Sequence, residues 1–314
     1  MEIKTIVTIL FLSMLGLSLG ANASTISSDE PWVDATEGIT GGSTAITWFP
    51  ANQNSSSSST LDHAQTIIEV YTATWCETCI PAEEALNASI TDHAVKVVKY
   101  HRHLFETEDP FGNSNTEGRW LSRYGPSAVQ ADFNARTPPT VIFGGERMHI
   151  GSHPTAGVSL EEEYSISLNS IMRPPISNSS EFTFTWEDGT FEWSWNWEED
   201  ITACRSNCDT VSTELYMMIV EDTAFFPEGS NGEEYYHRIL RDVIPLGNNS
   251  IEYILPQAWD DDDVSIMIVL DWQESQSEET FLEVIPSLAV ELVIIGLVFT
   301  AFITPTEAEK RRVQ

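Results

Sequence analysis

The chain has 314 residues, room for about two domains, with 15 Lys and Arg against 48 Asp and Glu, a formal charge of −33. That balance repels a phosphate backbone and excludes nucleic acid as a partner. It suits a soluble surface in a salty exterior.

The N-terminus has the form of a secretory signal over residues 1–23. Lys4 gives a positive start, Ile6 to Leu19 an apolar core and Ala21-Asn22-Ala23 a small-residue cleavage site. Residues 24–62 read as a linker or extension, with Gly41-Gly42 and a run of five serines; Ala45 to Phe49 is a short strand candidate. Asn54, Asn87, Asn178 and Asn248 each begin an N-x-Ser sequon.

From residue 63 to 173 strand and helix patterns alternate. Thr66 to Thr72 predicts a strand, Cys79 to Asp92 a helix and Val95 to Tyr100 a strand. Glu117 to Arg136 predicts a helix broken near Gly125-Pro126. Val141 to Phe143 and Met148 to Ile150 predict two strands, and Ser159 to Met172 a closing helix, with a capping box at Ser159 and Glu162. Between the first strand and helix lies Trp75-Cys76-Glu77-Thr78-Cys79-Ile80-Pro81. A cysteine at a helix N-terminus favours thiolate, the species that attacks disulfides, and a second cysteine a turn later can resolve the mixed disulfide. Cys76 is thus expected to be the exposed nucleophile and Cys79 the shielded resolver. Glu77 beside them opposes the thiolate, which points to a reductase or isomerase poise.

Trp75-Cys76-x-x-Cys79 followed by Pro139 before Thr140 to Phe143 resembles the thioredoxin superfamily. Glu69 to Thr72, Pro81-Ala82-Glu83, Asp109 to Gly112 and Thr137-Pro138-Pro139 are similar to secreted thioredoxin-like proteins of poorly defined function. The resemblance covers residues 63 to 172 and implies an α/β thioredoxin fold. It also implies a groove for an extended substrate beside Trp75, Pro138 and Pro139, with a cis-proline at Pro139. Two departures stand out. Pro138 has no N–H to offer a substrate. The position of the family's buried acid, six before Cys76, is Val70; Glu69 lies on the opposite face by strand alternation.

After a Pro- and Ser-rich linker, residues 181–283 predict an all-β sandwich. Phe182, Phe184 and Trp186, then Phe191, Trp193, Trp195 and Trp197, alternate with polar residues about an Asp188-Gly189 turn. Those aromatics form either a sandwich's inner face or a ligand platform. A thioredoxin fold joined to a sandwich also resembles some bacterial surface proteins, on Val220-Glu221-Asp222 and Tyr236 to Arg241. Cys204 and Cys208 are expected to form a structural disulfide. Asp260 to Asp263 reads as a solvated turn. Residues 284–304 predict one transmembrane helix, interrupted by Glu291, and residues 305–314 a basic cytoplasmic tail.

Together these features predict a single-pass, membrane-anchored, extracytoplasmic thiol–disulfide oxidoreductase. Cys76 and Cys79 would be catalytic. Its partners would be protein thiols or disulfides and an electron-donor protein, with neither an organic cofactor nor a metal. Two alternatives stay open. One is a binding or adhesion protein with inert cysteines. The other is a copper metallochaperone using Cys76, Cys79 and His101 or His103, two histidines at i and i+2.

Overall fold

In the computed structural model, residues 30–205 and 208–275 are described. Thirteen strands and four α-helices form among them. The strands are β1 (Val33–Asp34), β2 (Gly41–Pro50), β3 (Ser55–Thr60), β4 (Gln65–Thr72), β5 (Val95–His101), β6 (Thr140–Phe143) and β7 (Arg147–Ile150). They continue with β8 (Glu181–Glu187), β9 (Thr190–Asn196), β10 (Thr210–Phe225), β11 (Tyr235–Pro245), β12 (Ser250–Glu252) and β13 (Val264–Ser275). The helices are α1 (Cys79–Ser89), α2 (Ser114–Arg123), α3 (Gly125–Gln130) and α4 (Leu160–Asn169).

Nine strands make one sheet in the order β1-β7-β6-β4-β2-β13-β10-β11-β5, and β5 returns to pair with β4. Strands β4, β2, β13, β10, β11 and β5 therefore close a six-stranded barrel. This corrects the expected architecture, and with it the resemblance: the chain is mostly β around a closed barrel, not a thioredoxin α/β fold followed by a separate sandwich. Pattern reading placed most of the local elements but not their pairing. The start of β4 bonds to β2 (Thr44↔Thr66, Ala45↔Gln65), and β5 bonds to β11 at Ile239↔Lys99. Strands far apart in sequence thereby share one wall.

Residues 24–62 are also corrected. Instead of a linker they supply β2, which pairs with β13 from Gly41 to Pro50, and β3, whose serine run pairs with β8. Serine has little strand preference; backbone pairing with β8 overrides it.

The outer face of β2, β10 and β13 packs on a second sheet, β12-β9-β8-β3. Phe182, Phe184, Trp186, Phe191 and Trp193 are buried in that layer, and Phe49 stacks on Phe184 at 4.3 Å. The barrel side holds a second core of Ile67, Tyr71, Val98, Tyr100, Met218, Val220, Leu240, Met267 and Val269, against which α2 presses Trp120 and Tyr124. A box at Asn113 starts α2: its Oδ1 accepts from Asn115 and Thr116 N–H at 2.8 and 3.0 Å, and Thr116 Oγ1 accepts from Asn113 N–H. Helices α1 and α4 cover the other face of β4 through Ile68, Val70, Leu86, Tyr164 and Leu168.

A charged layer crosses this core. Arg119 on α2 pairs with Glu69 on β4 and, at 3.0 Å, with Asp271 on β13. Tyr100 donates to Glu69 at 2.6 Å, Tyr124 also donates to Glu69, and Arg123 meets Asp271 at 3.0 Å. Each buried charge has a partner, as low polarity requires.

Among the described residues no helix is long and apolar enough to cross a membrane. The expected signal at 1–23, anchor at 284–304 and tail at 305–314 lie outside the described residues. Single-pass placement in a cell membrane is thus unsupported.

Candidate functional site

Cys76 and Cys79 are joined in a disulfide with Cα atoms 5.3 Å apart. Helix α1 begins at Cys79, so Cys76 sits in the preceding turn and not in the first helical turn where the dipole acts. Cys76 is only 3 % exposed and Cys79 is fully buried, against Ala73 and the half-buried Trp75. The segment between β10 and β11 covers this turn. Asn231 N–H and Tyr236 Oη both donate to Thr74 O, at 3.1 and 3.2 Å. The fit is close: a Cβ on Gly229 would lie 2.0 Å from Tyr236 Oη.

The exposed nucleophile that a thiol–disulfide oxidoreductase needs is therefore buried, and that function is withdrawn. Trp75 Nε1 donates to Glu106 at 3.0 Å. The Pro138–Pro139 peptide is cis, and Pro139 O accepts from Gly151 N–H at 2.8 Å. Glu69 belongs to the charged layer on the face away from α1, as alternation predicts.

The copper reading gains nothing either. Strand β5 ends at His101, so the i, i+2 relation to His103 lapses there. His101 is fully buried and its Nδ1 lies 2.8 Å from Asp109. Among the described residues the grouping with metal-ligand spacing is Cys204, Cys208 and Glu274, not Cys76 and Cys79 with a histidine. Cys204 and Cys208 are bonded to each other.

One arrangement that sequence reading missed has the outline of a hydrolase site. Ser167 Oγ is 2.7 Å from His149 Nε2, and His149 Nδ1 is 3.9 Å from Glu163. Ser167 is fully buried, so no substrate reaches its oxygen. Burial, helped by Arg147, pushes the His149 pKa down to about 3, which keeps the ring neutral. This is a packed polar cluster.

An opening lies along the thinly closed seam of the barrel. A cavity of 780 Å³ opens between β5, the end of β2, the start of β13 and the β10–β11 pair. Lys96 precedes Val98 and Tyr100 on the barrel-facing side of β5, and its ammonium lies 4.7 Å from the centre of the Trp48 ring. Arg238 lies on β11 with φ +60°, a conformation that non-glycine residues rarely adopt and that clusters at functional positions. The ladder lapses here: β10 and β11 pair at Glu221↔Ile239 and Thr223↔His237, skipping Asp222 and Arg238. Asp222, Asp262 and Asp263 line the same cavity.

Cations and acids both line this cavity. Burial lowers the Lys96 pKa, and the positive charge of Arg238 lowers it further. Burial raises the Asp263 pKa, opposed by the Thr223 N–H it accepts at 2.8 Å, and the charges of Asp222 and Asp260 raise it again. Asp263 Oδ1 is buried without a hydrogen-bond partner among the described residues. Neither Lys96 nor Arg238 joins any ion pair found among the described residues. Lys96 thus lies close enough to Arg238 for repulsion, as Asp263 does to Asp222. The only sequence signals were an inward-facing lysine on a strand and the Asp260 to Asp263 run.

No protein-family model matches the chain, and no curated protein matches it. Two solved structures are similar over part of its length. Protein AGR_C_4864 from Agrobacterium tumefaciens is 15 % identical with a TM-score of 0.37, over 65 % of this chain and 77 % of that one. HBP35 of Porphyromonas gingivalis is 14 % identical with a TM-score of 0.32, over 66 % of this chain and 63 % of that one. At these scores neither likeness bears on function.

Proposed function

We propose that the protein is a binding protein for a small zwitterion, an amino acid or short peptide, seated in the seam cavity. The observation that carries this reading is a cavity lined by both cations and acids, with like charges close enough to repel. Lys96 and Arg238 repel each other, as do Asp222 and Asp263. Such placement costs stability in the empty protein. A ligand with a carboxylate at one end and an ammonium at the other relieves both repulsions at once. Trp48 supplies an apolar wall, with the Lys96 ammonium over its ring. The volume falls within the range of small-ligand sites, about 300–1,000 Å³.

Calorimetric titration with three probes tests the reading: triglycine, N-acetyl-triglycine and triglycine amide. Triglycine should bind at one site, and blocking either end should weaken binding by about tenfold or more, the value of one charge-assisted contact. Lys96→Glu should abolish binding while leaving the melting temperature close to wild type. Failure of triglycine to bind, or equal binding of all three probes, contradicts the proposal.

A further inference from the structure

A second site lies at the Cys204–Cys208 loop. The sulfurs of Cys204 and Cys208 and a carboxylate oxygen of Glu274 lie within 4.8 Å of one another. The framework holds them there: Glu274 sits at the end of β13, opposite Val211 at the start of β10, and its Oε1 accepts from Arg205 N–H at 2.8 Å. Behind them stands Glu146, on the turn between β6 and β7 and only 6 % exposed. Its Oε1 accepts from Met172 N–H at 3.0 Å. Its Oε2 is buried and has no partner among the described residues.

Burial pushes the Glu146 pKa up to about 7. The Met172 N–H, Arg147 and Arg205 oppose this, and repulsion from Glu274 adds to it. The two carboxylates are therefore electrostatic neighbours. A buried carboxylate oxygen without a donor calls for water or an ion. Two sulfurs and one carboxylate are a donor set that suits Zn²⁺, with thiolates as the soft ligands.

We propose that reduction of the Cys204–Cys208 disulfide opens a Zn²⁺ site formed by Cys204, Cys208 and Glu274. A dithiol reductant supplies the two electrons and two protons. Its own thiols become a disulfide, the Cys204–Cys208 S–S bond breaks, and two thiols result. Zn²⁺ then displaces the two thiol protons and forms two Zn–S bonds. The oxidised protein offers no thiolate and does not take the metal, so the loop alternates between a covalent staple and a metal staple.

The test titrates Co²⁺, a coloured stand-in for Zn²⁺, into the full chain before and after treatment with a dithiol, removed under anaerobic conditions. The reduced protein should bind one equivalent with a thiolate-to-cobalt charge-transfer band that Zn²⁺ bleaches; the oxidised protein should show no band. Cys208→Ser should lose the band. Glu274→Gln, which keeps both thiols, should bind at least tenfold more weakly. The Cys76→Ser/Cys79→Ser variant should retain the band. Absence of a band in the reduced wild type overturns the proposal. So does a band that survives Cys208→Ser, one lost in the Cys76→Ser/Cys79→Ser variant, or undiminished affinity in Glu274→Gln. If a cysteine variant fails to fold, by circular dichroism, the Glu274→Gln affinity decides.

Discussion

Arg119 on α2 donates from Nη2 to both carboxylate oxygens of Asp271 on β13, at 3.1 and 3.0 Å, across 152 positions of chain. Its Nη1 donates at the same time to Glu69 and to Tyr100. One guanidinium thus ties a helix to three strands of the barrel wall, β4, β5 and β13.

Arg119→Leu leaves the carboxylates of Glu69 and Asp271 buried without that partner. The expected loss is about 3–5 kcal/mol, the cost of breaking a buried ion pair from one side. Chemical denaturation followed by circular dichroism and by tryptophan fluorescence checks it. Both probes should report one coincident transition in wild type, since strands from both halves share the wall. Adding Glu69→Gln and Asp271→Asn should recover part of the loss.

The Cys76–Cys79 disulfide closes a loop of sequence separation 3, so its removal by the double serine substitution should cost only about 2 kcal/mol. Burial predicts that mild reductant leaves this pair unlabelled by an alkylating agent in the native protein. Asn231→Ala keeps the backbone N–H to Thr74 but removes the side-chain oxygen that accepts from Tyr236 Oη and Glu233 N–H, which loosens this segment and should speed labelling. Wild-type labelling as fast as a free exposed thiol contradicts the buried arrangement.

His149 carries a pH signature. Its folded pKa, about 3, lies below the ordinary histidine value of 6.5. Above pH 6.5 the ring is neutral in both states and contributes no slope. As pH falls from 6.5 towards 3 the unfolded chain takes up the proton first, so stability drops by up to about 1.4 kcal/mol per pH unit. The difference in stability between wild type and His149→Asn, followed from pH 7 to 4, isolates this slope from the carboxylates. A pH-independent difference counts against a buried neutral ring.

Phe105 is 98 % exposed with φ +59°, in a turn closed by the Glu106 N–H to His103 O bond at 2.9 Å. A left-handed φ costs an L-residue about 1–2 kcal/mol, and the greater freedom of glycine in the unfolded chain offsets part of that gain. Phe105→Gly should therefore stabilise the protein by about 0.5–1 kcal/mol, read from denaturant midpoints. Destabilisation would mean that the ring packs on something.

Local patterns in the sequence were informative wherever one strand or helix decides its own form. The β4–α1–β5 order, the Ser159 cap and the buried aromatic faces of β8 and β9 follow from alternation, turn residues and capping. Pairing partners were not legible. The β2–β4 seam rests on two residue pairs and the β5–β11 seam on one, and no local pattern announces either. The cysteine motif misled because its surroundings include a segment over 150 residues away, where Asn231 and Tyr236 bond to Thr74. Lys96 and Arg238 were invisible as a pair for the same reason: their approach is a product of closure.

Titration of triglycine into isotope-labelled protein, followed by backbone amide chemical shifts, tests the central claim most directly. Binding in the seam cavity predicts saturable shifts centred on Trp48, Lys96, Asp222, Arg238 and Asp263, and none at Trp75 to Cys79. Shifts centred on the Cys76–Cys79 turn, or no saturable shifts at all, would contradict it.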